Sequence, residues 1–283
     1  MTESILDSQK SSSDSIWLDC TLRDGGYYND WMFSDELVHR YLKAMTALGV
    51  DYVELGFRSF QAGSFKGACA YTTDTYIRNL NVPDELSLGV MINAQDIIQA
   101  PLENDDAVRK LFDAAKESPV SLVRVASHFQ DVAASVGICQ TLKKLGYTVG
   151  LNVMQIADRS LDEIAAATKT IDESAVDVLY FADSMGSLTP SDVTAIVSTL
   201  KGSWSGPLGI HTHDNMGLAM ANSIAAIDSG VRWVDSTVTG MGRGPGNVCT
   251  EYLAIEMAER YSRQINMTPL AELVRSDFGP MKQ

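Results

Sequence analysis

From Ile16 onward the chain alternates short apolar, β-branched runs with longer segments of helical period. The runs are Ile16–Cys20, Val50–Phe57, Leu86–Ile92, Leu122–Ala126, Tyr147–Val153, Val176–Ala182, Leu208–His213 and Val231–Ser236. Runs that are apolar almost throughout, such as the one holding Val176, Val178, Leu179, Tyr180 and Phe181, suit strands covered on both faces, as in a parallel sheet.

The segments between the runs carry helix punctuation. Ser34 is placed to cap a helix whose first turn holds Asp35 and Glu36, favourable beside the positive end of the dipole, with Gly49 closing it after Leu48. Ser160 and Glu163 have the spacing of a capping box. Thr189 before Pro190 is a cap with proline at the first helical position, and Gly230 follows a helical segment from Met216 to Ser229. One strand and one helix recur about every 23–36 residues, eight times, which predicts an α/β fold of the (β/α)8 TIM-barrel type. A doubly wound open sheet competes, but no GxGxxG follows the first strand. We expect a disordered leader over 1–14, a single barrel domain over 15–265 and a short helical extension over 266–283.

The charge balance of 22 Lys+Arg against 36 Asp+Glu, net -14, disfavours phosphate backbones and anionic membrane surfaces as partners. Cys20, Cys69, Cys139 and Cys249 stand far apart, with no CxxC pair and no signal-peptide pattern, so free thiols and a cytoplasmic location are expected. No apolar run is long enough to span a membrane as a helix.

In such a barrel, polar residues just after each apolar run gather at one mouth. The first strand ends Asp19-Cys20-Thr21-Leu22-Arg23-Asp24-Gly25-Gly26-Tyr27-Tyr28, more chemistry than a turn needs. The second places Glu54 and Arg58 at or above the mouth, where an ionisable group is costly unless paired. The seventh ends Ile210-His211-Thr212-His213-Asp214-Asn215, and residues two apart on a strand point the same way, so both imidazoles can face one ion. The alternative, a satisfied core histidine, is weaker for His-x-His at a strand end. After the eighth strand, Thr239-Gly240-Met241-Gly242-Arg243-Gly244-Pro245-Gly246-Asn247 can bring Asn247 over the same mouth. A carboxylate from the first strand, two imidazoles and an amide oxygen make an open O/N site that suits Mn²⁺ or Mg²⁺, with Zn²⁺ or Co²⁺ also allowed. Such an ion polarises the carbonyl of a chelating 2-oxo acid and stabilises an enolate.

These residues resemble the DRE-TIM metallolyases, the HMGL-like superfamily, over roughly residues 16–260, and most of all their 4-hydroxy-2-oxovalerate aldolase branch in the stretch Gly209 to Leu253. The resemblance implies Arg23 as an oxyanion-stabilising arginine, Asp24, His211 and His213 as metal ligands with Asn247 completing the set, and Glu54 as the group orienting Arg23. It implies a C–C lyase that cleaves a 4-hydroxy-2-oxo acid to pyruvate and an aldehyde, or forms it. In the aldolase branch a histidine follows the TLRDG motif by two residues; here that place is Tyr27, a residue type that is a poor base at neutral pH unless a cation neighbours it. Tyr27 is therefore either the acid/base or an aromatic lid on the loop.

Arg58 and Arg124 are expected to meet the substrate's anionic group, the alternative for Arg58 being an ion pair with a loop acid. Asp183 is either a partner for a histidine or a cap on the next turn, and Asp19 a structural carboxylate. Cys20 and Cys249 read as small buried residues. Small-molecule 2-oxo acid and aldehyde partners are expected, with a homo-oligomer left open. The chain ends soon after the last expected barrel helix, so a dehydrogenase-docking segment or an acyl-CoA subdomain is not expected. The competing activities are a Claisen-type acyl-CoA/2-oxo acid synthase and a catalytically silent barrel that serves as a binding subunit.

Overall fold

A computed structural model of the protein describes residues 15–60 and 66–282; the expected leader over 1–14 lies outside the described residues. Eight parallel strands close a barrel in sequence order: β1 (Ile16–Asp19), β2 (Tyr52–Phe57), β3 (Ser87–Asn93), β4 (Leu122–His128), β5 (Thr148–Met154), β6 (Val178–Asp183), β7 (Leu208–Thr212) and β8 (Trp233–Ser236). Closure comes from β1 against β8, with Ile16 opposite Trp233 and Asp19 opposite Ser236. The third, fourth and fifth strands run past their apolar stretches, because ladder pairing continues through Ser127 with Val153 and His128 with Met154. That continuation lifts polar side chains into the mouth on a regular backbone.

The helix caps follow their local chemistry. Ser34 accepts from the Leu37 N–H at the head of the helix Asp35–Leu48, and Gly49 ends it at φ 69°. Ser160 with Glu163 and Thr189 with Asp192 both form complete capping boxes. The helix expected from Met216 begins later, at Ala219, because the Asp214 carboxylate takes the Ala219 N–H and the intervening residues form a turn. No helix among the described residues is long and apolar enough to cross a membrane.

Period-two alternation sorts each strand into two cores. Trp17, Val53, Val123, Val149, Leu179 and Val234 face the surrounding helices in one large apolar cluster. Leu18, Cys20, Leu122, Val178, Tyr180 and Trp233 plug the barrel interior. Inside, above that plug, the same alternation brings up Glu54, Arg124, Asn152, His211 and Asp235, all buried. Gly150 makes room for Arg124: a Cβ there would lie 3.0 Å from the Arg124 Cγ.

Beyond the barrel, the helix Thr268–Leu273 and the turns after it bury Leu270, Leu273 and Phe278, the last edge-on to Tyr41. At the end of this segment the Lys282 Nζ donates to the carbonyl of Thr239 at 2.5 Å and of Gly240 at 3.3 Å. The C-terminal segment thus braces the glycine-rich loop that carries Asn247.

Candidate active site

The C-terminal mouth of the barrel holds a cavity of about 260 Å³, bordered by Arg23, Asp24, Tyr27, His211, His213 and Arg243 on one side. Beneath it lies a closed ring of charged and polar contacts. Arg23 donates Nη1 to Asp24 at 2.5 Å and Nε to Glu54 at 2.8 Å. Arg124 grips both oxygens of Glu54, at 2.8 and 2.6 Å, and donates Nη1 to Asp235 at 2.7 Å. Asp235 lies 2.8 Å from His211 Nδ1, and His211 Nε2 faces Asp24 at 3.4 Å, which completes the circuit. Burial works against the ionised form of Glu54, yet Arg124 and Arg23 outweigh it and hold its carboxyl below the usual carboxylate range. Three carboxylates in the ring face two guanidinium groups, so it favours one more positive charge.

Several features fit a cation at this corner. Burial pushes His211 well below the ordinary histidine range and also lowers His213, despite the pull of Asp24, so both imidazoles are held neutral as ligation requires. The carboxylate of Asp235 on Nδ1 fixes the His211 tautomer with Nε2 toward Asp24, the outer support that metal-binding histidines use. Asn247 donates Nδ2 to Asp24 at 2.6 Å while its buried Oδ1 has no hydrogen-bond partner among the described residues. An acceptor stranded beside a carboxylate is what a cation site leaves behind. Cys20, Asp24 and His211 offer ligand atoms within 4.8 Å of one another. Burial raises the Cys20 thiol well above its usual range, so it stays neutral and the O/N donors dominate.

The glycine loop delivers Asn247 through tight geometry. Gly246 sits at φ +99°, and a Cβ on it would lie 1.8 Å from the Gly240 carbonyl oxygen. The Asn247 N–H closes the turn on that same carbonyl at 3.0 Å.

Of the residues singled out in the sequence, Arg23, Asp24, Glu54, His211, His213 and Asn247 converge here, with the two imidazole rings edge to face at 5.2 Å. Tyr27 lines the cavity, half exposed, packed on Trp31 and under the Arg243 guanidinium at 5.3 Å. Arg58 is elsewhere: its guanidinium pairs with Asp74 and the Thr72 carbonyl and stacks on Phe112 at 4.8 Å, because β2 turns it outward from the mouth. That is the ion pair with a loop acid, and it leaves no substrate contact. Arg124 does point inward, but it lies below the cavity with its donors committed to Glu54 and Asp235 and its face on Tyr180. It holds the ring together rather than meeting a ligand. Asp183 caps its turn through the Ser187 and Leu188 N–H groups, and Asp19 faces the helices, bonded to Thr21, Tyr41 and Thr250. The sequence reading passed over Asp235 and Arg243. Asp235 was detectable by the argument applied to Glu54, an ionisable residue inside an apolar strand; Arg243 has no signal beyond its place in the loop.

The family described as HMGL-like matches residues 14–276. The chain belongs to that family. The oxaloacetate decarboxylase of Mycobacterium tuberculosis is 28% identical over 266 residues, 93% of this chain and 76% of that protein. A 4-hydroxy-2-oxovalerate aldolase of Geobacillus genomosp. 3 is 30% identical over 240 residues, 83% of this chain and 68% of that protein. The solved N-terminal domain of a protein from Bacteroides vulgatus, titled as an aldolase, superimposes with a TM-score of 0.84 at 30% identity, covering 94% of this chain and 87% of that one. The hydroxymethylglutaryl-CoA lyase of Pseudomonas aeruginosa, at 18% identity and a TM-score of 0.75 over 96% of this chain and 94% of its own, shares the fold. Family and relatives together support an HMGL-like enzyme of the lyase and aldolase type.

Proposed function

We propose that this chain is a divalent-metal-dependent aldolase that cleaves a 4-hydroxy-2-oxo acid to pyruvate and an aldehyde, or condenses them. The observation that carries the reading is the closed ring from Asp24 through Arg23, Glu54, Arg124 and Asp235 to His211, beside which Arg23 Nη2 and Asn247 Oδ1 are buried without a hydrogen-bond partner among the described residues. Asp24, His211 and His213, with Asn247, are the residues that would hold the ion, Mn²⁺ or Mg²⁺ by the hardness of the donors. When bound, the ion supplies Lewis-acid polarisation of the 2-oxo group and its neighbouring carboxylate.

Arg23 spends Nη1 on Asp24 and Nε on Glu54, and its Nη2 is buried without a partner among the described residues. Nη2 is the donor we assign to the oxygen on which enolate charge develops, and Glu54 keeps the guanidinium in place. Tyr27, beneath Arg243, is the group we assign to the 4-hydroxyl proton. Arg243 has no ion pair among the described residues and draws an anionic oxo acid to the mouth of an otherwise acidic protein. The cavity, at about 260 Å³, has room for two small oxo compounds.

The relative named oxaloacetate decarboxylase favours a second reading, loss of CO₂ from oxaloacetate. Cleaving either substrate generates the enolate of pyruvate at the same Arg23 donor. The test is pyruvate release from 4-hydroxy-2-oxo acids and from oxaloacetate with added Mn²⁺, before and after chelation. We expect release that chelation abolishes and that His211→Ala lowers by roughly a hundredfold or more. Release indifferent to chelation, or wild-type rates in folded His211→Ala protein, rejects the mechanism.

A further inference from the structure

The segment after β1 carries Arg23 and Tyr27, the groups assigned above to the enolate oxygen and to the 4-hydroxyl proton, and it ends on a tryptophan that has no part in that chemistry. Trp31 is 6% exposed. Its indole Nε1–H donates back to the Arg23 carbonyl at 2.8 Å, and its own N–H donates to the Gly26 carbonyl at 3.0 Å. Both ends of the segment from Arg23 to Trp31 are thereby tied to one another, with Tyr27 inside the closed loop. The indole lies so close on Gly26 that no Cβ fits there.

The same ring joins the two groups through their side chains. It meets Tyr27 edge to face at 4.8 Å and Phe57 at 5.8 Å. Phe57 in turn lies 6.0 Å from the Arg23 guanidinium, and Tyr27 lies 5.3 Å from that of Arg243. The contacts thus run from Arg23 through Phe57, Trp31 and Tyr27 to Arg243, with the indole at their centre and the Lys66 ammonium 4.8 Å over it.

Reaching this place strains the backbone. Asp30 and Trp31 are consecutive non-glycine residues in the left-handed region, at φ 53° and 59°, a rare conformation for a bulky side chain. The Gly67 N–H pins the turn by donating to the Asp30 carbonyl at 2.8 Å. Such strain persists only where the surroundings over-determine it, and it clusters at functional sites. Burial of apolar area is non-directional and accounts for neither the strained pair nor the directed bond to Arg23.

We infer that Trp31 is a positioning residue: through its bond to the Arg23 carbonyl and its edge contact with Tyr27, it fixes the separation between the group that receives enolate charge and the group that takes the 4-hydroxyl proton; the inference rests on the aldolase reading above. A misplacement of about 1 Å by a change away from the chemistry is enough to lower a rate roughly a hundredfold. Trp31 does not line the cavity at the ion corner, so its effect belongs in kcat and not in KM.

A double-mutant cycle with a spectroscopic arm tests it. Trp31→Phe keeps a ring but removes the indole N–H, Trp31→Leu removes both, and Tyr27→Phe removes the hydroxyl; thermal unfolding checks that each variant is folded. For Mn²⁺-dependent cleavage of a 4-hydroxy-2-oxo acid, we expect kcat to fall roughly tenfold in Trp31→Phe and roughly a hundredfold in Trp31→Leu and in Tyr27→Phe, with KM within about twofold of wild type. In the Tyr27→Phe background, Trp31→Leu should lower kcat by about tenfold less than it does in the wild type, because residues that act as a unit are not additive. The spectroscopic arm needs no turnover: 3-fluorotyrosine in place of Tyr27 should give a ¹⁹F resonance apart from that of free fluorotyrosine, and Trp31→Leu should move it toward the free value. Equal losses in the two backgrounds, a risen KM with kcat unchanged, or an unmoved ¹⁹F resonance in folded Trp31→Leu overturns the inference. No cleavage by the wild type, or a wild-type kcat in Tyr27→Phe, with the ¹⁹F resonance responding, overturns the reading of the site and leaves Trp31 as the residue that places Tyr27; failure of both overturns both.

Discussion

The two sides of the barrel mouth are built on opposite economies of hydrogen bonding. At the floor of the mouth, Arg23 and Asp24 after β1, Glu54 on β2, Arg124 on β4, His211 on β7 and Asp235 on β8 are locked to one another by contacts of 2.5–2.8 Å. On the β3 to β6 side, Asn152 Oδ1 is buried without a hydrogen-bond partner and Asp96 has no ion pair among the described residues. Buried ion pairs are a poor source of stability, since desolvation offsets most of their attraction. Their use at the corner is geometric: they fix Arg23 through Nε and Nη1 and leave Nη2 without a partner among the described residues. Chemistry common to a family of lyases belongs on such a locked frame.

The strongest way to break this contrast is to remove the centre of the ring. Arg124→Met leaves Glu54 and Asp235 as buried carboxylates with one guanidinium between them, and losing one partner of a buried pair costs about 3–5 kcal/mol. For a domain of this size that lowers the melting temperature by roughly 6–20 °C. Cleavage activity should fall with it, because Glu54 no longer holds Arg23. Calorimetry together with a lyase assay on the folded fraction checks both; an unshifted melting temperature would show that the ring is not the frame of the site.

Next in size is Asp235→Asn. The amide keeps the shape of the side chain but removes the charge that steadies His211 Nδ1. Loss of such a partner costs roughly 10–100-fold in metal affinity. Isothermal titration with Mn²⁺ should show that loss while the melting temperature falls less than in Arg124→Met. Equal affinity in wild type and variant would remove His211 from the ligand set.

Most of the locked side could be read from residue types and spacing, and the reason is period two. Glu54, Arg124 and the His-x-His pair are ionisable residues in apolar strands, and such residues must be paired or functional. Pattern alone could not give the height of each residue within the barrel. Arg124 and Asn152 sit two residues from Ala126 and Met154 on neighbouring strands, yet Arg124 lies under the cavity and Asn152 in it, a difference set by barrel stagger. Nor could it give the direction of Arg58, which leaves the mouth because β2 breaks register between Glu54 and Phe57. Asn152 itself escaped notice because an asparagine in a strand carries no spacing signal; only its missing partner marks it.

The finest test sets one arginine against another. Arg58 was expected at the substrate and Arg243 was not, and the structure reverses their positions: Arg58 forks onto Thr72 and Asp74 away from the cavity, while Arg243 lines it with its guanidinium over the Tyr27 ring and no ion pair among the described residues. Arg58→Lys keeps the charge but loses the fork and the flat face on Phe112, so it should cost about 1 kcal/mol, roughly 2–4 °C in melting temperature, with KM for the oxo acid unmoved. Arg243→Ala should do the converse. An exposed side chain contributes little to folding, so the melting temperature stays within about 1–2 °C, while KM rises roughly tenfold at low salt and less at high salt, where screening already weakens the attraction. If KM responds to Arg58→Lys and not to Arg243→Ala, the anion is received on the β2 side of the mouth, and the contrast between the two arginines falls with that result.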